Sequence, residues 1–309
     1  MPDDVFQHIV VVDPTGLVPW AIDALGELSA RPPRVFEDLP TSAEETLRRI
    51  GDADCVLVSW NTPLDASVLS RCEALSYVGM CCSLYSTATA NVDVAFAEAN
   101  GISVEGVRDY GDEGVLEFVV AELVRLLKGL GEHQWRDEPV ELTGRKVGIV
   151  GMGSVGQRLA RRLQAFGAEI FYFNRSRKEQ AERDNVQYLP LDRLLETVDI
   201  VSTHLPKNTT LLGDAAFQKL GNGKILVNTS LGVPFHQEPF ARWLDQPGNF
   251  SILDGDGAVG LAESLRAHPR VLYSPAVAGW TAEAKERLSS KVLANVRNHL
   301  RERRKQEGS

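Results

Sequence analysis

The chain has 309 residues, 43% of them hydrophobic and 24% charged, a globular composition long enough for about two domains of roughly 150 residues. Its net charge of −9 argues against general binding to nucleic acid or anionic membranes. No apolar run approaches the ~20 residues of a membrane span, and the acidic start Met1-Pro2-Asp3-Asp4 lacks a signal-peptide pattern, so a cytoplasmic protein is expected.

In chain order, His8–Val12 reads as a strand, Leu17–Leu28 as a helix and Val35-Phe36 as a second strand. Ser42-x-x-Glu45 forms a capping box that opens a helix ending at Gly51. Cys55–Ser59 is a buried strand, Leu64–Leu69 a short helical piece, and Leu75–Val78 a strand leading into a polar loop from Cys81 to Thr89. A helix over Asn91–Asn100 stops at Gly101, before a strand at Ile102–Val104. Val115–Leu130 is a longer amphipathic helix with no strand beside it, and Trp135–Leu142 is a polar connection. Further strands are predicted at Gln187-Tyr188, Ile200–Thr203, Ile225–Thr229, Ser251–Leu253 and Val271–Tyr273. Helices at Leu191–Thr197, Asp214–Leu220, Pro234–Leu244 and Gly260–His268 separate them, and a last helix covers Thr281–Leu300. Strand–helix alternation of this kind implies parallel βαβ units and an α/β fold of two doubly wound domains. The short basic run Arg301–Lys305 reads as a solvated helix end, and Cys55, Cys72, Cys81 and Cys82 as reduced thiols with no metal-ligand spacing. No metal site is expected. His8, His133, His236, His268 and His299 have no recognisable context and read as surface or structural.

The strongest motif lies between those halves. The apolar run Lys146–Val150 leads into Gly151-Met152-Gly153-Ser154-Val155-Gly156, followed by the amphipathic Gln157–Phe166 and a second apolar run, Ala168–Phe173. A strand before the glycines and a helix after them make G-x-G-x-x-G a dinucleotide-binding fingerprint. The first glycine permits the turn, the second lets backbone approach a pyrophosphate, and the third lets helix pack on strand. At the end of the second strand, where enzymes of this kind carry an acidic residue for a ribose 2′-OH, stands Asn174, with Arg175, Ser176, Arg177 and Lys178 behind it. That cluster matches a 2′-phosphate, so NADP(H) is the expected cofactor.

From about Val78 to Leu300 the motif order resembles the D-2-hydroxyacid dehydrogenase family, relatives of formate, phosphoglycerate and glyoxylate/hydroxypyruvate dehydrogenases. The matching pieces are Asn91-Val92-Asp93, Asp109-Tyr110-Gly111 through Glu117, the glycine fingerprint, and His204-x-Pro206-x-x-Thr209. They continue with Asn228-Thr229-Ser230-x-Gly232, Leu253-Asp254, and Ser274-Pro275 through Thr281. The resemblance implies a Rossmann cofactor domain (108–281) inserted into a discontinuous, flavodoxin-like substrate domain (1–107 with 282–309). It also implies a homodimer through the 115–130 helix. Cofactor contacts implied at matching positions, beyond Gly151–Gly156 and Asn174–Arg177, are His204, Leu205, Pro206, Thr209, Thr229, Ser230, Asp254, Ala278 and Gly279.

The family's catalytic set does not carry over. Its substrate-binding arginine falls on Leu231, its orienting glutamate on Val259 and its histidine on Ala276. Carbonyl reduction calls for a proton donor with a suitable pKa, and a keto acid for a bidentate arginine, and these three residues supply neither. Tyr85 and His204 are the candidate catalytic residues, with Tyr110 and Asp256 also near the expected cleft and Trp280 as an apolar wall. Cys81–Thr87, Leu231, Val259, Ala276 and Trp280 make a more apolar pocket than the family's. The expectation is therefore an NADP(H)-dependent reductase for a small carbonyl or imine of low anionic character. A catalytically silent NADP(H) sensor is the alternative, and a keto-acid dehydrogenase with unrelated catalytic residues is a third possibility.

Overall fold

Strand and helix alternate, in a computed structural model that describes residues 5–84, 86–87 and 90–307, to form two α/β units. One comprises Met1–Tyr110 and Thr281–Ser309, the other Gly111–Trp280.

In the first unit the strands β1 (Ile9–Val11), β2 (Arg34–Val35), β3 (Cys55–Val58), β4 (Tyr77–Ser83) and β5 (Ser103–Val107) pair in parallel in the order β2-β1-β3-β4-β5. That is the doubly wound, flavodoxin-like order. Strands β1 and β3 are buried at every position, which accounts for their unbroken apolar sequences. The last helix, α12 (Ala282–Glu307), places Leu288, Val292, Val296 and Leu300 in one cluster with Ile9, Val11, Leu57 and Tyr77. This stripe recurs every four residues and assigns the end of the chain to the first sheet. The helix runs beyond the predicted Leu300 through the basic segment to Glu307.

Two local expectations need correction in this unit. The loop expected from Cys81 begins later, because β4 continues through Ser83 and leaves Cys81 and Cys82 only 1% and 5% exposed. A strand paired on both sides accommodates small apolar thiols, and burial pushes the Cys81 thiol well above its usual range, so neither forms part of a polar loop. At α2 (Ala43–Ile50), Ser42 Oγ accepts from the Glu45 amide at 3.2 Å, but Glu45 reaches back one residue further than a capping box requires, accepting from the Thr41 amide at 2.8 Å.

The second unit has the parallel order β12-β11-β10-β9-β6-β7-β8, with β6 (Lys146–Val150) and β9 (Ile200–Thr203) at the point where strand order reverses. Strands β7 (Glu169–Phe173) and β8 (Gln187–Tyr188) lie on one side of β6. On the other side, beyond β9, lie β10 (Ile225–Asn228), β11 (Phe250–Leu253) and β12 (Val271–Tyr273). Ligands of such sheets bind beyond the carboxyl ends of the strands at that reversal. Helix α5 (Asp112–Lys128) contributes Leu116, Val119, Leu123, Leu126 and Leu127 to the core on one face. The helix expected over 260–268 contracts to α11 (Glu263–Arg266), bounded by Gly260 at φ +82° and by Pro269, while α7 (Glu179–Arg183) appears where no helix was predicted.

The polar connection after α5 has a buried anchor. Trp135 is 3% exposed, its indole donates to Gly248 O at 3.1 Å, and the Arg136 guanidinium lies over its ring. Trp135→Ala should destabilise the protein by about 3–5 kcal/mol, read from the urea midpoint with unchanged m-value.

Candidate active site

Three glycines of the fingerprint have three different reasons to be glycine. Gly151 has φ +99°, and a Cβ on it would lie 2.1 Å from His204 O, so β6 and the end of β9 touch through backbone. A Cβ on Gly156 would lie 2.3 Å from Gly151 O, which seats α6 (Ser154–Ala165) directly on the turn. A Cβ on Gly153 would meet nothing within 4 Å. Gly153 is also the N-cap of α6, and no side chain caps that end. Its first N–H groups therefore remain for an anion. Ser154 contributes by its backbone, since its hydroxyl donates to Asp112 Oδ2 at 2.6 Å.

Asn174 follows β7 and latches the two loops together: Oδ1 accepts from the Met152 amide at 3.2 Å and Nδ2 donates to Ser176 O at 2.9 Å. Behind it the basic residues diverge. Arg177 pairs with Glu182 and lies 5.3 Å from the centroid of the Tyr188 ring. Arg175 is exposed and has no ion pair among the described residues.

At the end of β9, His204 is half-buried, with Nε2 2.9 Å from Ser202 Oγ, and burial pushes its imidazole down to about 4. It is neutral at pH 7 and so a poor proton donor there. Ser230 accepts from the Leu205 amide at 2.9 Å and donates to Thr203 O at 3.1 Å, which commits its hydroxyl to the protein. Pro206 is exposed and Thr209 half-buried on the loop that follows, which turns through Asn208 at φ +62°.

The third wall is the turn Asp254–Gly257 after β11. Asp254 is 1% exposed; Oδ1 accepts from the Gly257 amide at 2.7 Å and Oδ2 from the Ala278 amide at 2.8 Å. Asp256 is half-buried, and burial together with the neighbouring Asp254 carboxylate raises its carboxyl to about 6. Backbone bonds join this turn to three flanking segments. Gly232 N donates to Asp256 O at 2.9 Å, Val259 N to the same oxygen at 3.2 Å, and Gly255 N to Ala276 O at 3.0 Å. Leu231, Val259 and Ala276 therefore stand on segments bonded to one turn. Gly279 packs on Gly111, where its Cβ would lie 3.2 Å from Gly111 O.

Tyr85 lies outside the described residues. Tyr110 packs against the core of the first unit, and Trp280 is 36% exposed. Asn228, read from the sequence only as part of the Asn-Thr-Ser-x-Gly motif and given no role there, is fully buried at the end of β10. It accepts from Thr203 Oγ1 at 2.8 Å and donates to Gly257 O at 2.8 Å and Gly232 O at 3.1 Å. Its position at a strand end beside a glycine turn was the available signal.

Residues 118–278, just over half of the chain, match the model of the D-isomer specific 2-hydroxyacid dehydrogenase NAD binding domain. The chain belongs to that family. It is 29% identical over 250 residues to a hydroxypyruvate reductase of Blautia hydrogenotrophica, covering 73% of this chain and 75% of the relative. To a glyoxylate reductase of Korarchaeum cryptofilum it is 27% identical over 283 residues, 84% of this chain and 83% of that one. Among solved structures, the acyclic imino acid reductase Bsp5 in complex with NADPH and D-Arg shares the fold at a TM-score of 0.81 and 22% identity, over 96% of this chain and 98% of that one. D-lactate dehydrogenase from Escherichia coli does so at 0.77 and 23%, over 94% and 96%.

As a family member the chain is an oxidoreductase with a nicotinamide-dinucleotide domain, and the residues present fit such a group. Gly153 leaves room at a helix N-terminus that no side chain caps, and Thr229 Oγ1, just after β10, is buried without a hydrogen-bond partner among the described residues. A buried hydroxyl without a partner costs on the order of 1–3 kcal/mol unless a ligand satisfies it.

Two outcomes follow. Gly156→Ala should lower Tm on its own, whereas Gly153→Ala should leave the apoprotein's Tm unchanged and abolish the thermal shift produced by added dinucleotide. His204 is held below its unfolded pKa of about 6.5, so it stays neutral in the folded protein while the unfolded chain takes up a proton. Stability from this residue is present above pH 6.5 and lost as pH falls towards 4. Urea titrations across that window should show a steeper loss for wild type than for His204→Gln.

Proposed function

We propose that this protein is an NADP(H)-dependent oxidoreductase that reduces a carbonyl or imine other than a simple 2-keto acid. One observation carries this reading. The three segments bonded to the Asp254–Gly257 turn present Leu231, Val259 and Ala276, none of which can hold a carboxylate or donate a proton. A 2-keto acid bound there would bring a negative charge towards the acidic pair Asp254 and Asp256 with no cation on those segments to offset it. A neutral or cationic substrate avoids that penalty. The NADPH and the imine chemistry named for the structural neighbour agree with an NADP(H) cofactor and a C=N substrate, while its D-Arg carries a carboxylate on the reacting carbon and lends no support to carboxylate exclusion.

The cofactor preference rests on the β7 loop. An amide at Asn174 presents no charge to repel a 2′-phosphate, and the exposed Arg175 is available to it, while Arg177 is engaged by Glu182. Arg175→Ala should weaken NADPH binding about tenfold, or ~1.4 kcal/mol, and leave NADH binding unchanged in fluorescence titrations. The activity itself is tested by following NADPH oxidation against a panel of ketones, aldehydes, imines and 2-keto acids. Turnover confined to substrates without a carboxylate next to the carbonyl supports the reading. Turnover of glyoxylate or hydroxypyruvate as the best substrates overturns it. A thermal shift with NADPH but no turnover indicates a cofactor sensor instead.

A further inference from the structure

We infer that the carboxyl group of Asp256 is the proton donor of this site, delivering its proton to the substrate heteroatom as hydride arrives at carbon. The inference rests on the reductase reading above and names the group that reading leaves unassigned.

The placement is the first argument. Asp256 O is the shared acceptor for Gly232 N and Val259 N, and the preceding residue, Gly255, donates to Ala276 O. Asp256 thus sits among the three segments on which Leu231, Val259 and Ala276 stand. Its backbone is fixed there, because a Cβ on Gly257 would lie 2.0 Å from Asn228 O and one on Gly255 would lie 2.7 Å from Pro275 O. The turn lies close against the end of β10 and the segment after β12, with no room for a side chain at Gly255 or Gly257.

The second argument is availability. Asp254 spends one oxygen on each of two amides, and His204 is neutral with its ring nitrogen against Ser202. The carboxyl oxygens of Asp256 have no hydrogen-bond or ionic partner among the described residues. Asp254 is the charged group beside it; residues 229–233, 258–262 and 274–279, which flank the turn, contain none. A half-buried carboxyl raised to about 6 by burial and by a like charge is still partly protonated near neutral pH and can act there as an acid.

The step balances. A reduced nicotinamide cofactor, when bound, would supply the hydride and be oxidised in doing so. The C=O or C=N π bond opens, a C–H bond forms, and the released electron pair takes the carboxyl proton to complete O–H or N–H. Asp256 is left as carboxylate, and its exposed side allows reprotonation from water.

Wild type, Asp256→Asn and Asp256→Glu would be compared. With NADP+ bound, carboxyl-labelled aspartate NMR should show one resonance titrating near pH 6 that is missing from Asp256→Asn. NADPH affinity, by fluorescence, should stay within twofold in both variants. On the best substrate of the panel, kcat should fall 10²- to 10⁴-fold in Asp256→Asn with loss of the alkaline limb of the pH profile, and Asp256→Glu should restore part of it. Wild-type kcat and an unchanged limb in Asp256→Asn would overturn the donor while leaving the reductase reading intact. Loss of NADPH binding in both variants would place Asp256 in the cofactor site and likewise overturn it. Absence of turnover in wild type would remove the reductase reading, and the donor with it.

Discussion

The amide of Asn228 holds the carboxyl edge of the second sheet together. It is fully buried, and it accepts from Thr203 Oγ1 and the Ser230 amide while donating to Gly232 O and Gly257 O. Four hydrogen bonds use the whole capacity of one side chain and connect β9, the loop after β10 and the turn after β11. Each bond adds about 1 kcal/mol net, but the penalty for orphaning any of these buried groups is larger, so the network works as a unit. The geometry around Thr229, Leu231, Asp254 and Asp256 is set by this amide, although it presents no group to a ligand.

The site thus built combines a receptive cofactor cradle with an acidic, cation-poor wall. An open Gly153 at the start of α6 favours phosphate, and Arg175 adds positive charge at the β7 loop. Across the strand reversal, Asp254 and Asp256 share one turn; burial raises both carboxyls, and the Asp254 carboxylate adds to the cost of ionising Asp256. Negative charge is welcome at one end of the edge and disfavoured at the other.

Much of the fold could be read from residue pattern because its signals are local. The predicted helices Leu191–Thr197 and Asp214–Leu220 coincide with α8 and α9, since their apolar spacing and flanking turns lie within a few residues of each other. Where the pattern misled, a distant partner had decided. Cys81-Cys82-Ser83 looks polar enough for a loop, yet β4 continues through it to pair Ser83 with Val107 of β5.

The sequence alone determined the parallel α/β class, the glycine turn with its strand and helix, the basic loop at Asn174–Arg177 and the apolar identities of Leu231, Val259 and Ala276. Each is a matter of residue identity or short-range spacing. Only the tertiary structure decided which glycine has open space around it, which arginine is already paired, and that the Asp256 carboxyl lies near Asp254 with no hydrogen-bond or ionic partner among the described residues. Those properties depend on which chain segments meet through space: His204 O against Gly151, Glu182 against Arg177, Asn228 O against Gly257. Contacts between residues far apart in sequence leave no periodic trace, and there the chain alone was silent.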